Sequence, residues 1–260
     1  IKFAVRSDMG RIRTNNEDNF YCNGIYMTVS ERERPFFLNG EARIPCVFAV
    51  CDGMGGEDCG ELASLTTVET IAEFAENFSK RNNAVFDFVN NANKKLVAIM
   101  KRQKIRMGTT LALAVINEVS FTLYNIGDSR IYRVEEEAGN QKLLRVTDDH
   151  SLAEEKVKMG LITPAQAEKD RDRHVLTRYL GIDDDEFTFS PDVYGPFHFD
   201  ENKKILLCSD GLTDMLSYKE ISEIMCNNAD VCEIADKLLN NALNNGGKDN
   251  ITCIAIEIGD

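Results

Sequence analysis

Residues 110–134 read TLALAVINEVSFTLYNIGDSRIYRV, and this stretch decides the fold. Two apolar runs, 110–117 and 120–126, flank a turn at Asn117-Glu118, and a third run follows at 129–134. A further turn is expected over 136–141. Antiparallel hairpins of this kind argue against an all-parallel doubly wound sheet.

Working outward, the β-branched and apolar content predicts further strands at 2–7, 19–26, 46–51, 187–193, 204–208 and 252–257, although strict alternation is only partial. Helical spacing appears twice as a pair. Segment 59–78 places Leu62, Leu65, Val68, Ile71 and Ala75 on one face, and 83–104 does so with Phe86, Val89, Leu96 and Met100. The second pair is 217–226 and 230–244, with Ser217 and Asp230 as N-caps and Glu220 completing a capping box. Asn244-Asn245-Gly246-Gly247 stops the last helix. This order predicts an α+β fold, a four-layer α-β-β-α sandwich of two packed, mainly antiparallel β-sheets flanked by helix pairs. No repeat or low-complexity linker divides the chain, so residues 1–260 are expected to form a single domain. Two segments stand apart. Residues 27–45 read as an irregular, mixed-charge surface extension. Residues 151–174 read as a flap over one edge, with a helix over 152–159 ended by Gly160 and a short polar helix started by Thr163-Pro164.

Thirty basic against 43 acidic residues give a net charge of −13, which excludes the dense basic surface that nucleic-acid binding requires. Eight cysteines without a CxxC pair, and only three histidines, argue against a zinc site and a disulfide framework. Buried thiols in a reducing, cytoplasmic compartment are expected. The chain has neither a signal-peptide core nor an apolar run of membrane-spanning length. It opens directly on a strand-like segment, as a domain within a longer polypeptide would.

The chemistry is carried by short acidic segments, most of them containing glycine: Asn15-Asn16-Glu17-Asp18, Cys51-Asp52-Gly53-Met54-Gly55-Gly56, Gly127-Asp128-Ser129, Ser209-Asp210-Gly211 and Gly247-Lys248-Asp249-Asn250. One Asp beside Gly is usually a turn residue. As a group, Asp18, Asp52, Asp128, Asp210 and Asp249 each abut a strand-like run or a glycine-rich turn. A carboxylate ending a buried strand is costly unless paired or metal-bound, and an adjacent glycine lets a carbonyl such as that of Gly53 approach the ion. Brought together, these ends would hold Mg2+ or Mn2+ for chemistry on an oxyanion. Gly55-Gly56 before a helix matches neither a dinucleotide fingerprint nor a P-loop.

These motifs resemble those of the protein phosphatase 2C family, the metal-dependent serine/threonine phosphatases, in their compact bacterial form. The resemblance runs in order through Ser7-Asp8-Met9-Gly10, Arg13 with Asn16-Glu17-Asp18, Asp52-Gly53-Met54-Gly55-Gly56, Met107-Gly108-Thr109-Thr110 and Asn125-Ile126-Gly127-Asp128-Ser129-Arg130. It continues through Asp148-Asp149-His150-Ser151-Leu152, Leu176-Thr177-Arg178-Tyr179-Leu180-Gly181, Ser209-Asp210-Gly211-Leu212 and Gly247-Lys248-Asp249-Asn250-Ile251-Thr252.

The resemblance implies two core Mn2+ or Mg2+ ions with room for a third, and hydrolysis of phosphoserine and phosphothreonine in proteins by a hydroxide bridging the pair. It implies that Asp52 bridges both ions, that the Gly53 carbonyl, Asp210 and Asp249 are direct ligands, and that Glu17 and Asp18 hold the ions' water shell. Asp128 with Asp210 would hold the third ion. Arg13 would grip the substrate phosphate, and the catalytic set is Arg13, Asp52, Asp210 and Asp249. Phosphoprotein substrates, a cognate Ser/Thr kinase and a monomer are the expected partners and state. Met54 stands where animal members carry a histidine and cannot donate a proton, so the leaving-group acid is expected to be a metal-bound water near Asp128. His150 reads as a structural residue at the start of the following helix, with proximity to the third ion as the alternative. A catalytically silent relative, a phosphatase for small metabolites and a metal-buffering protein are the rival readings.

Overall fold

The computed structural model describes residues 1–55, 59–81, 83–137, 139–183, 190–199 and 202–259. Its strands are β1 (Lys2–Asp8), β2 (Asn19–Cys22), β3 (Phe36–Glu41), β4 (Cys46–Cys51), β5 (Gly53–Gly55), β6 (Met107–Thr109) and β7 (Leu111–Ile116). They continue with β8 (Ser120–Ile126), β9 (Arg130–Glu137), β10 (Asn140–Arg145), β11 (Asp192–His198), β12 (Asn202–Cys208) and β13 (Ile251–Glu257). The α-helices are α1 (Gly60–Phe78), α2 (Ala84–Gln103), α3 (Leu152–Lys158), α4 (Pro164–Ala167), α5 (Asp210–Thr213), α6 (Tyr218–Met225) and α7 (Val231–Asn244).

One sheet has the strand order β10-β9-β12-β13-β1-β3, the other β11-β8-β7-β4-β2, and β5 pairs with β6 in a small ribbon. Every pairing among these strands is antiparallel. Three apolar layers result. Strand β4 shows how the sequence builds them: Cys46, Phe48 and Val50 face the space between the sheets, while Val47, Ala49 and Cys51 face α1 and α2. Strands β12 and β13 do the same on the far side, sending Ile205, Leu207, Ile254 and Ile256 between the sheets and Leu206, Cys208, Cys253 and Ala255 toward α6 and α7. A central strand buried on both faces has no polar face to alternate with, which is why its sequence reads as a continuous apolar run. The α-β-β-α sandwich follows.

Most predicted elements are present with shifted ends, and the Ser217–Glu220 capping box and the Asp230 cap are both formed. The predicted strand at 19–26 ends at Cys22, where the chain turns back on itself. Of the predicted strand at 187–193, residues 187–189 lie outside the described residues, as do Ala138 of the 136–141 turn and Gly56; strand β11 begins at Asp192. The reading of 27–45 as an irregular extension is corrected. Phe36–Glu41 forms β3 at the edge of the six-stranded sheet, with Phe36 and Leu38 packed inward and Phe37 exposed.

The antiparallel register gathers alternate strand ends at one edge. Asn19 pairs with Cys51, Val50 with Ala112 and Leu111 with Ile126 in one sheet. In the other, Arg130 pairs with Cys208, Cys208 with Cys253 and Asp8 with Ile251. The segments issuing from this edge are those bearing the predicted carboxylates. Among the described residues no helix is long and apolar enough to cross a membrane.

Candidate active site

A cleft of about 490 Å³ opens at this edge, and Arg13, Glu17, Asp52, Gly53, Asp128, Asp210 and Asp249 all line it. Asp18 lies beneath them, 1% exposed. The backbone of Asp52 is clamped from both sides: its amide donates to Thr110 Oγ1 at 2.9 Å, and its carbonyl accepts from the Thr110 amide at 2.9 Å and Thr109 Oγ1 at 2.8 Å. Thr110 Oγ1 also meets Ser129 Oγ at 2.6 Å, coupling this clamp to the turn that carries Asp128.

The loop bearing Arg13, Glu17 and Asp18 is tied down by Asn250. Its Nδ2 donates to the carbonyls of Met9 and Asn15 at 2.9 and 2.8 Å, and its Oδ1 accepts from the Glu17 amide at 2.7 Å. Arg32 holds the same loop from inside, donating to the Asn16 carbonyl at 2.7 Å and the Asp18 carbonyl at 3.2 Å while only 5% exposed. An arginine within Glu31-Arg32-Glu33-Arg34 reads as solvated surface, so nothing local in the sequence marks it. Arg13 Nη2 donates to Asp249 Oδ2 at 2.7 Å, a pair half open to solvent.

The electrostatics are those of crowded carboxylates. Burial first, then the charges of Asp18, Asp210, Asp128 and Asp249, holds the Asp52 carboxyl well above its ordinary range. Burial and the nearby Asp210 do the same to Asp128. The Asp18 carboxyl is pushed up to about 7 by burial, although Ser209 Oγ donates to its Oδ2 at 2.7 Å. Among the described residues its buried Oδ1 has no hydrogen-bond partner. Glu17 is also raised, by burial. Asp210 is the exception: burial opposes its ionisation, but the His174 ring, with Nδ1 3.2 Å from Asp210 Oδ2, holds its carboxyl below the usual range.

His174 was not among the predicted site residues. It lies at the end of the predicted flap, its Nε2 is 3.3 Å from Asp214 Oδ2, and both residues line the cleft. Asp214 was legible in principle, because it sits one helical turn beyond Asp210 and shares its face. His150 takes its structural reading: 3% exposed, it accepts from the Gly127 amide through Nδ1 at 2.9 Å, leaving Nε2 to Asp192 at 3.0 Å. Within the flap, α3 and α4 form as expected, and Lys156 Nζ joins them to the following turn through Asp170 at 2.9 Å and Asp172 at 2.7 Å.

The sequence profile described as protein phosphatase 2C matches residues 36–246. The chain belongs to the protein phosphatase 2C family. Serine/threonine phosphatase Stp of Listeria monocytogenes is 31% identical over 266 residues, covering 97% of this chain and 94% of that protein. The crystal structure of the Mycobacterium tuberculosis serine/threonine phosphatase PstP/Ppp superposes with a TM-score of 0.81 at 28% identity, covering 100% of both chains. The catalytic domain of PstP in complex with two manganese ions gives a TM-score of 0.76 at 28% identity, covering 99% of this chain and 98% of that one. By family, then, this is a protein phosphatase, and its cleft is built from the motifs whose order suggested the family.

Proposed function

We propose that this phosphatase hydrolyses phosphoserine and phosphothreonine in proteins, acting through two core Mn2+ or Mg2+ ions at Asp52, Gly53, Asp210 and Asp249. The observation that carries the reading is the convergence of Asp52, Asp128, Asp210 and Asp249 on one cleft with the Arg13 guanidinium at its rim. The residues fit a hard cation. They supply oxygen donors alone apart from His174, burial and neighbouring negative charge raise the Asp52 and Asp128 carboxyls, and among the described residues the buried Asp18 Oδ1 has no hydrogen-bond partner. When bound, the ion pair would supply a bridging hydroxide as nucleophile and neutralise phosphoryl oxygens.

The side chains have separate tasks in this reading. Asp52 would hold both core ions. Glu17 and Asp18 would hold their water shell, and Asp128 would join Asp210 at a third ion. Arg13, half exposed and already paired with a carboxylate, binds the phosphate bidentately. A single domain over residues 1–260, with residues 151–174 as a flap beside the site, completes the assignment. A phosphoprotein substrate, a Ser/Thr kinase as its counterpart, a monomeric state and a cytoplasmic setting belong to the same proposal.

Mn2+-dependent release of phosphate from a phosphothreonine peptide is the direct test. Purified protein with no metal-dependent turnover would sink the enzyme reading, and equal turnover of small phosphoesters would sink the protein-substrate assignment. Arg13→Ala is expected to lower kcat/KM on the peptide by ~10²-fold, mostly through KM, with Arg13→Lys recovering little because an ammonium cannot bind two oxygens in parallel. Steady-state kinetics on the two variants checks this.

The raised carboxyls also fix a pH dependence. Asp18, Asp52 and Asp128 bind protons in the folded state that the unfolded chain has already released, so their contribution to stability falls as pH rises from the ordinary carboxylate range toward and beyond 7. His174, raised first by its hydrogen bond to Asp210, likewise loses its contribution as pH rises through its folded value. His150, lowered by burial, works in the opposite direction. Mn2+ replaces those protons, so the rise in Tm on adding saturating Mn2+ should be larger at pH 7.5 than at pH 5.5. Comparing Tm with and without metal at each pH removes the His150 contribution, which is common to both. A metal-induced rise that shrinks with increasing pH would contradict the assignment.

A further inference from the structure

The nitrogen in this otherwise oxygen-rich cleft is unaccounted for by the reading above. His174, Asp128 and Asp210 each offer one ligand atom, and those atoms all lie within 4.8 Å of one another. The ring has two faces of use. Its Nδ1 looks toward Asp210 at 3.2 Å, and its Nε2 lies 3.3 Å from Asp214 Oδ2. Asp214 is itself fixed, since Arg173 Nη2 donates to the same Oδ2 at 2.9 Å. A histidine that binds a metal through one nitrogen usually donates its other N–H to a carboxylate, which sets the tautomer and the ring orientation. Asp214 stands where that carboxylate is required. Among the described residues, no lysine or arginine forms an ion pair with Asp128.

We propose that His174 Nδ1 joins Asp128 and Asp210 as a direct ligand of a third divalent cation, with Asp214 as the positioning residue that holds the proton on Nε2. This rests on the reading of the cleft as a divalent-cation site. An imidazole among carboxylates suits Mn2+ or Zn2+ better than Mg2+, so this position differs in preference from an all-oxygen pair. It also attaches the segment 151–174 to the cleft through a coordinate bond at its last residue, so that occupancy of the third position and the placement of that segment depend on each other.

The probe is Mn2+ alone, added to the full chain. Bound ions are counted by electron paramagnetic resonance at equilibrium, and electron spin-echo modulation reports nitrogen coordinated to the metal. The wild type should bind three Mn2+ and show ¹⁴N modulation. His174→Ala should bind two and lose the modulation, although His150 and His198 remain. Asp214→Asn should keep the nitrogen signal at high Mn2+ while weakening the third ion by ~10–100-fold. His174 is half exposed, so its truncation leaves the cores untouched. Two ions in wild type and His174→Ala alike, or three ions without ¹⁴N modulation, would overturn the assignment and leave the core pair standing. A wild type that binds no Mn2+, or an Asp52→Asn variant that binds as much as wild type, would instead overturn the metal reading on which it rests.

Discussion

Asp52→Asn is expected to lower phosphatase turnover by ~10³-fold or more while raising the Tm of the metal-free protein. The two effects have one cause seen in two states. With metal, Asp52 is the carboxylate proposed to hold both core ions, and an amide in its place would supply neither charge nor a second anionic oxygen. The stabilisation lost is on the order of several kcal/mol, at about 1.4 kcal/mol per tenfold in rate. Without metal, the same carboxyl lies at the floor of the cleft among Asp18, Asp210, Asp128 and Asp249, and it stays protonated well above its ordinary range. Asparagine has nearly the same shape and no charge to repel. It keeps the Thr109 and Thr110 clamp, which grips the backbone rather than the side chain. In a chain of this size each kcal/mol relieved moves Tm by about 2–4 °C. Melting curves in EDTA and in Mn2+ check the pair of effects, and the Mn2+-induced rise in Tm should be smaller in the variant. A variant that melts lower in EDTA would show that the wild-type carboxylate is compensated by something other than a cation.

How much of this was legible in the sequence depends on where each residue's partners lie along the chain. The turns and apolar runs of 110–134 are local features, and they gave the antiparallel sandwich correctly. The short ribbon of β5 and β6 was not visible, because its three-residue strands are too short to show a period. Strand β3 was hidden for a different reason. Its inward residues Phe36 and Leu38 follow the charged run at 31–34 and precede Gly40, so composition outweighed alternation. At the site, the carboxylates announced themselves because each abuts a strand-like run or a glycine-rich turn. Asn250 lay within a recognised motif, but its task of fastening the 9–17 loop depends on contacts more than 230 residues apart. Arg32 and His174 carry no local signal at all. Their roles arise from which backbone or carboxylate the fold sets against them.

Gly53→Ala tests the same distinction, and it is expected to be among the most damaging changes of a single methyl group. The sequence suggested that this glycine keeps the backbone open beside Asp52. The structure adds a stricter reason. A Cβ at Gly53 would sit 2.1 Å from the Gly60 carbonyl oxygen and 2.5 Å from the Glu17 carbonyl oxygen. Both are backbone atoms, so no rotamer change relieves the clash. Gly53 cannot retreat, because it pairs with Thr109 in the ribbon and follows the clamped Asp52. The start of α1 and the loop bearing Glu17 must therefore both give way, by up to about 1 Å. Overpacking of this kind costs ~3 kcal/mol, and a displacement of that size beside reacting groups lowers turnover by ~10²-fold. Gly60→Ala makes a graded comparison. Its Cβ would meet the Glu17 carboxyl at 2.6–2.9 Å, a side chain that can swing aside, so stability should change less than the placement of Glu17. Gly139→Ala supplies the control, since among the described residues nothing lies within 4 Å of its Cβ position and its φ of +81° is what resists a side chain. That variant should lose ~1–2 kcal/mol and keep its turnover. Denaturant melts with phosphopeptide kinetics on the three variants separate these outcomes, and equal turnover in Gly53→Ala and Gly139→Ala would mean that the contact between Gly53, Glu17 and α1 does not position the site.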